Sequence, residues 1–144
     1  MKLTDVNLLL YAVDAGSPRH GEARAWLENQ LSGVETFAFP AAVLLAFVRL
    51  STQGRIFALP LAPDEAFDII DGWLAQPCAT TVVPGERHLV LVRELLQPLG
   101  AAGNLVSDAH LAALAIEHGA ELCSADMDFS RFQRLRWSNP LVAA

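Results

Sequence analysis

Four aspartates of this chain are of a type and spacing that could hold a divalent cation. Asp5 closes a short apolar stretch at the N-terminus, and Asp108 lies near the start of a long apolar segment. Asp126 and Asp128 form an Asp-Met-Asp pair shortly after it. Carboxylates tolerate one another only when a proton or a cation lies between them. Hard oxygen ligands without histidine or cysteine favour Mg²⁺ or Mn²⁺ over zinc, and one or two such ions could support hydrolysis of a phosphodiester.

Each aspartate also has an ordinary explanation as a helix cap, a role worth about 0.5–2 kcal/mol. For any one of them alone, capping is the better interpretation. Asp108 is different, because the segment from Leu105 to Ile116 is apolar on nearly every face, as in a helix packed inside a domain. A carboxylate on such a helix needs a hydrogen bond, a partner charge or a cation. Taken together, the four acids therefore favour a metal site.

The elements that must position these acids alternate along the chain. Strands are predicted at residues 2–5, 35–39, 79–83, 121–124 and 135–137, and helices at 8–13, 18–31, 40–50, 63–74, 84–96 and 105–116, with a short helix near Phe129. This alternation predicts an α/β fold, a three-layer α/β/α sandwich with a central, mostly parallel sheet of about five strands. Ligands of such sheets bind beyond the carboxyl ends of the strands, where Asp5 and the Asp126/Asp128 pair are expected. The four acids are thus predicted to meet in one cleft.

Composition limits the class of protein. With 144 residues and 53% hydrophobic content, the chain predicts one globular domain over residues 1–144. The net charge of −6 is unusual for a nucleic-acid partner, but cations bound to the four aspartates would leave it close to balanced. No apolar run is long enough for a membrane span, and the two cysteines, Cys78 and Cys123, have no zinc or disulfide pattern. A cytoplasmic, reducing environment is the expectation.

Three motifs in chain order resemble the PIN-domain ribonucleases, specifically the VapC-type toxins of bacterial toxin–antitoxin pairs. They are Asp5-Val6-Asn7-Leu8-Leu9, the segment Asn104 to Ala113 with Asp108 inside it, and Ser124-Ala125-Asp126-Met127-Asp128-Phe129. The resemblance implies a PIN-like fold and a Mg²⁺- or Mn²⁺-dependent endoribonuclease that cuts transfer or ribosomal RNA. It also implies a homodimer and a small VapB-type antitoxin as partner.

The same resemblance assigns roles to individual residues. Asp5, Asp108 and Asp126 are the implied metal ligands, and Asp128 is implied as a further catalytic acid. Asn7 and Ser124 are implied as supporting polar groups. Arg49 could contact a substrate phosphate or an antitoxin carboxylate, or it could simply form a surface ion pair.

One position departs from the family pattern. PIN domains of this type carry a glutamate on the helix after the second strand, a few residues before an arginine, and the matching residue here is Ala46. The chain could work with its remaining acids, with help from Glu22 or another carboxylate. The alanine could instead be an engineered change, or it could mark a weakened or non-catalytic binding module.

Other residues and other functions carry less weight. A phosphatase or receiver-type domain also gathers aspartates, but it uses a lysine late in the chain, and the only lysine here is Lys2. His110 is about 200° around the helix from Asp108, which predicts a structural role facing away from that acid. His20, His88 and His118 are expected at the surface because they have no partners at ligand spacing.

Overall fold

The computed structural model describes residues 1–141, so the last three residues of the predicted domain lie outside the described part of the chain. Five strands form one sheet in which every pairing is parallel. In chain order they are β1 Lys2–Thr4, β2 Phe37–Ala38, β3 Ala79–Thr80, β4 Glu121–Cys123 and β5 Trp137–Ser138. Their spatial order is β3-β2-β1-β4-β5. The predicted parallel α/β sheet is confirmed.

This strand order places a change of direction at the centre of the sheet. From β1 the chain adds β2 and β3 on one side and then β4 and β5 on the other. The carboxyl ends of β1 and β4 therefore lie side by side at the switch point, where open α/β sheets bind ligands. Consecutive residues of these strands, such as Leu3 with Thr4 and Leu122 with Cys123, are all buried, so both faces of the sheet are covered.

Helices and two short 3₁₀ segments connect the strands. The helices are α1 Val6–Val13, α2 His20–Leu31, α3 Ala41–Ser51, α4 Pro63–Leu74, α5 His88–Leu96 and α6 Leu105–Glu117. The 3₁₀ segments are Gln97–Leu99 and Met127–Arg131. Helix α1 packs on α2 and α3, α3 on α4, and α5 on α6. Six helices around a five-stranded sheet form the predicted three-layer arrangement within the described residues.

The helix predicted to run through the domain interior is the best buried of these elements. In α6 the side chains of Ala109 and of residues 111–115 are all buried. Its first turn is more open, since Val106 is exposed and Asp108 is only half-buried. The carboxylate of Asp108 therefore lies at the edge of the core, where water or a cation can reach it.

Several predicted boundaries were wrong. The strands at 35–39, 79–83 and 135–137 are only two residues long, and the last one lies at Trp137–Ser138. Strand length here is set by pairing with the three-residue β1 and its neighbours, which local sequence does not reveal. Pro18 and Pro84 lie in the loops before α2 and α5, and these helices begin at His20 and His88.

A row of aromatic rings fixes helices α3 and α4 against β2. The Phe37 ring meets Phe39 edge-on, Phe39 stacks on Trp73, and Phe47 of α3 meets Trp73 edge-on, with centroid distances of 5.0, 5.6 and 4.9 Å. Such pairs add to the burial of large apolar surfaces. This packing fixes α3, which carries Ala46 and Arg49, beside the centre of the sheet.

None of the helices in the range 1–141 is long and apolar enough to cross a bilayer. Both cysteines are free thiols, and Cys123 is buried while Cys78 is partly exposed.

Candidate metal centre

Asp5 is held by the ends of two strands. It follows β1 and caps α1, where its Oδ1 accepts a hydrogen bond from the Val6 amide at 2.7 Å. Its Oδ2 accepts one from the Ser124 hydroxyl, beyond β4, also at 2.7 Å. Burial raises the pKa of Asp5, the hydrogen bonds from Ser124 and Val6 oppose that rise, and the nearby Asp126 adds to it. The predicted cap is therefore present, and the same carboxylate also belongs to the larger cluster.

Ser124 joins the other polar groups of this edge. Its hydroxyl accepts hydrogen bonds from the Asn7 side-chain amide at 3.2 Å and from the Asp126 amide at 3.0 Å. The side-chain carbonyl oxygen of Asn7 in turn accepts a hydrogen bond from the Ala125 backbone amide at 3.3 Å. Asn7 and Ser124 thus connect the residues that follow β1 to the loop that follows β4.

Three of the four predicted acids meet closely. Carboxylate oxygens of Asp108, Asp126 and Asp128 all lie within 4.8 Å of one another. Asp126 caps the second 3₁₀ segment, and its Oδ1 accepts a hydrogen bond from the Asp128 amide at 2.9 Å. Asp5 is not part of that tightest group, although its charge acts on Asp108. The structure thus gathers Asp108, Asp126 and Asp128 most tightly, whereas the predicted ligand set was Asp5, Asp108 and Asp126.

The electrostatics of the cluster favour a cation. The pKa of Asp108 rises to about 6, first because of burial and then because of the negative charges of Asp126, Asp5 and Asp128. A rise of this kind reflects the cost of ionising a partly buried carboxylate beside other negative charges. A divalent cation removes that cost, and carboxylate oxygens are the ligands that Mg²⁺ and Mn²⁺ prefer. The donor set therefore fits a metal ion of this class.

A cleft of about 740 Å³ opens beside the acids. The start of α1, helix α3 and the first half of α6 form its walls, and its lining includes Asp5, Asp108, Ala46 and Arg49. Ala46 therefore lines the same cleft as Asp5 and Asp108. Glu22 is exposed on α2 and is not among the lining residues, so the structure does not support its predicted substitution for the missing acid.

Arginines differ in their access to this cleft. Arg49 is exposed and lines it. Arg134 instead pairs with Glu94 at 3.1 Å, and Arg136 donates to the Gly119 carbonyl. Arg49 is therefore the basic side chain best placed to meet an anionic ligand near the acids.

The structure corrects the predicted surface position of His88 and the predicted orientation of His110 away from Asp108. His88 is buried rather than at the surface, and its Nδ1 contacts the Glu117 carboxylate. His110 lines the cleft together with Asp108, and its Nδ1 lies 2.8 Å from Nε2 of His88. Burial first, and then the charge of His88, lower the pKa of His110, while Glu117 opposes this. The sequence offered one signal, since His110 and Glu117 are seven residues apart and share a helix face.

Known proteins are similar to this chain over nearly its whole length. The family model described as PIN domain matches residues 2–135. Ribonuclease VapC37 of Mycobacterium tuberculosis is 45% identical over 140 residues, which cover 97% of this chain and 97% of that protein. Ribonuclease VapC33 of the same species is 40% identical, covering 98% of this chain and 99% of that protein.

Solved structures agree on the fold. VapBC2 from Rickettsia felis, bound to a DNA fragment from its promoter, has a TM-score of 0.69 at 20% identity and covers 96% of this chain and 97% of that chain. Mycobacterium tuberculosis VapC20, described as a Sarcin-Ricin loop cleaving toxin, has a TM-score of 0.65 at 18% identity, with 94% and 99% covered. At these identities the likeness concerns the fold alone.

Proposed function

Because this chain belongs to the PIN-domain family, we propose that it is a metal-dependent endoribonuclease and the toxin of a toxin–antitoxin pair. The observation that carries the proposal is the meeting of Asp108, Asp126 and Asp128 within 4.8 Å at the switch point of the sheet. The relatives that are 40–45% identical over nearly the whole chain are named ribonucleases. Under this proposal residues 1–144 form one domain that acts in the cytoplasm on transfer or ribosomal RNA.

Asp108, Asp126 and Asp128 would hold Mg²⁺ or Mn²⁺. Asp5 would be a further ligand or a nearby acid that does not bind the ion directly. The ion would supply a polarised water and charge stabilisation at the phosphoryl group. The chain itself supplies the positioning, because Ser124 and Asn7 fix Asp5 and the loop that carries Asp126. Arg49 on the opposite wall would bind a phosphate of the RNA through its planar fork of donors.

With Ala46 in place of the family's glutamate, the site has one carboxylate fewer to bind a cation. This loss does not favour a non-catalytic binding module. Three carboxylates still meet, and the raised pKa of Asp108 supports their capacity to bind one cation. The loss of a carboxylate weakens binding of a second cation more than of the first, so we expect reduced rather than abolished activity. A phosphatase or receiver-type domain is disfavoured because the PIN model matches nearly the whole chain.

The proposed partners follow from the relatives. Structural neighbours are VapBC complexes, which supports a VapB-type antitoxin that covers the cleft. A homodimer of this chain remains a prediction.

Cleavage of RNA by the purified protein tests the proposed reaction. We expect cleavage of bacterial tRNA and rRNA in Mn²⁺ or Mg²⁺ and none in EDTA. Asp126→Asn should reduce the rate by about 100-fold or more, in keeping with loss of an electrostatic stabiliser. Asp71→Asn, an exposed acid of α4, is the matched control and should cleave normally. Metal-independent cleavage, or an Asp126→Asn variant with the rate of the unaltered protein, contradicts the proposal.

A further inference from the structure

A continuous row of hydrogen bonds leads from the loop before α5 into the cleft. The Gly85 amide donates to Glu117 Oε2 at 2.6 Å, and Glu117 Oε1 contacts Nδ1 of His88. Nε2 of His88 lies 2.8 Å from Nδ1 of His110. The side chains of His88 and Glu117 are only 8% and 11% exposed, so the inner part of this row is fixed by its surroundings.

The Glu117 carboxylate has a hydrogen-bond partner on each oxygen. One oxygen accepts from the Gly85 amide, and the other contacts the His88 imidazole. A Cβ atom at position 85 would lie 2.8 Å from Glu117 Oε2, so a larger residue there would shift that carboxylate. These contacts orient the ring of His88.

The last bond of the row joins two helices that already contact each other through His88 and Glu117. His88 lies on α5 and Glu117 on α6, so their contact already joins the two helices. His110 lies on α6 as well, and its bond to His88 links no further element. Its physical effect is to fix the orientation of the His110 ring.

The outer nitrogen of that ring is free. Within residues 1–141, Nε2 of His110 has no hydrogen-bond partner, and it is not among the buried side-chain atoms that lack one. It therefore reaches solvent, and the residue lines the cleft together with Asp108 and Arg49.

We propose that His110 contacts the RNA backbone, donating from Nε2 to a non-bridging phosphate oxygen, and that His88 and Glu117 are the positioning residues that orient it. Glu117 can only accept, so His88 donates to it from Nδ1. For His110 to donate from Nε2, its Nδ1 must accept from Nε2 of His88, so His88 carries hydrogens on both nitrogens in the complex with RNA. The inference rests on the proposed function, since the ligand is the RNA of that reaction.

Two substitutions at His110 separate substrate contact from a structural role. Asparagine places a polar atom where Nδ1 was and keeps the bond to His88, but it removes the outer nitrogen. Glutamine places an amide where Nε2 was and gives up the bond to His88. We expect His110→Asn to retain the melting temperature and to lose roughly 10- to 100-fold in RNA affinity and kcat/KM, the range for a lost hydrogen bond to a charged group. His110→Gln should retain more of the RNA affinity and of kcat/KM than His110→Asn does.

The same logic applies to the positioning residue His88. His88→Asn keeps the contact with Glu117 and the link between α5 and α6, but it frees the His110 ring. RNA affinity should fall toward that of His110→Asn, and the double variant should be no worse than the single His110→Asn variant, because the two residues act as a unit. His20→Asn is the matched control, since His20 also uses only Nδ1, toward the Tyr11 carbonyl, and should leave affinity unchanged.

Affinity is measured by fluorescence anisotropy with a short labelled single-stranded RNA of mixed sequence, in an Asp126→Asn background that keeps the RNA intact. Cleavage is measured separately without that background. Normal RNA affinity and cleavage in His110→Asn, or an RNA affinity of His110→Gln no higher than that of His110→Asn, overturns the inference while the nuclease function stands. Reduced RNA affinity of His110→Asn in a protein that does not cleave RNA supports the contact and refutes the proposed reaction. A protein that does not bind the probe RNA overturns both.

Discussion

At the scale of single residues, the acids of the site differ in how their negative charges are stabilised. Both carboxylate oxygens of Asp5 accept hydrogen bonds, one from the Val6 amide and one from the Ser124 hydroxyl, and these bonds lower the cost of its buried charge. Asp108 has only its neighbours' charges and partial burial around it, and its pKa rises accordingly. Ionisation of Asp108 therefore carries a free-energy cost in the metal-free protein.

The stability of the metal-free protein should reflect this cost. The pKa of Asp108 is about 6 in the folded chain against 3.8 unfolded, so folding favours its neutral form. That contribution is complete below about pH 4 and is lost as the pH rises through about 6. The displacement corresponds to about 3 kcal/mol, and the partial exposure of the group reduces it to roughly 1 kcal/mol.

We therefore expect metal-free Asp108→Asn to be more stable than the unaltered chain by roughly 1 kcal/mol near pH 7, and to lose this advantage near pH 4. Urea denaturation at both values measures the difference. Equal stabilities of the two proteins near pH 7 would show that Asp108 ionises freely.

At the scale of elements, the site depends on the ends of β1 and β4. Each strand has only three residues, and the loops beyond them are joined through the Ser124 hydroxyl. Trp137 of β5 also donates from its indole nitrogen to the Ser124 carbonyl at 3.1 Å, which ties a third strand to the same point. Ser124 thus connects elements that lie more than a hundred residues apart in the chain.

Ser124→Ala should destabilise the fold as well as the site. The change leaves a buried Asp5 oxygen without its donor and releases the side chain of Asn7, so we expect a loss of about 1–3 kcal/mol in the free energy of unfolding. Ser130→Ala is the control, because that exposed hydroxyl bonds only to the carbonyl of Met127 in its own turn. Chemical denaturation of both variants tests this, and equal losses would argue against the connecting role of Ser124.

At the scale of the whole molecule, acids concentrate at one edge of a chain whose net charge is −6. The central switch in strand order brings that edge together, and α3 closes the cleft from the other side with Ala46 and Arg49. Binding of a cation by these acids would therefore be coupled to folding, because the unfolded chain does not bring them together.

Mn²⁺ should accordingly raise the melting temperature as its concentration rises above its Kd. At a concentration about 100-fold above its Kd, the free energy of unfolding rises by roughly 2.7 kcal/mol. Asp126→Asn should abolish most of this gain, whereas Ala46→Glu should enlarge it by restoring a carboxylate to the wall of the cleft. Thermal denaturation with increasing Mn²⁺ measures all three proteins, and Ca²⁺-free EDTA buffer gives the baseline. An unchanged melting temperature in the unaltered protein would contradict a metal site.

The sequence by itself determined the class of fold and singled out four acids, three of which lie within 4.8 Å of one another in the structure. Alternating strands and helices require a parallel sheet, and the apolar run of α6 makes Asp108 conspicuous, because both signals come from residues close together in the chain. Family resemblance added the supporting roles of Asn7 and Ser124, and the structure places both beside Asp5.

Only the tertiary structure decided which acids lie closest and what else faces the cleft. The tight group of Asp108, Asp126 and Asp128, the exclusion of Glu22 and the burial of His88 each depend on how distant segments pack. His88 and His110 show the reason most clearly. They are twenty-two residues apart on different helices, and no local pattern encodes the distance of 2.8 Å between their rings.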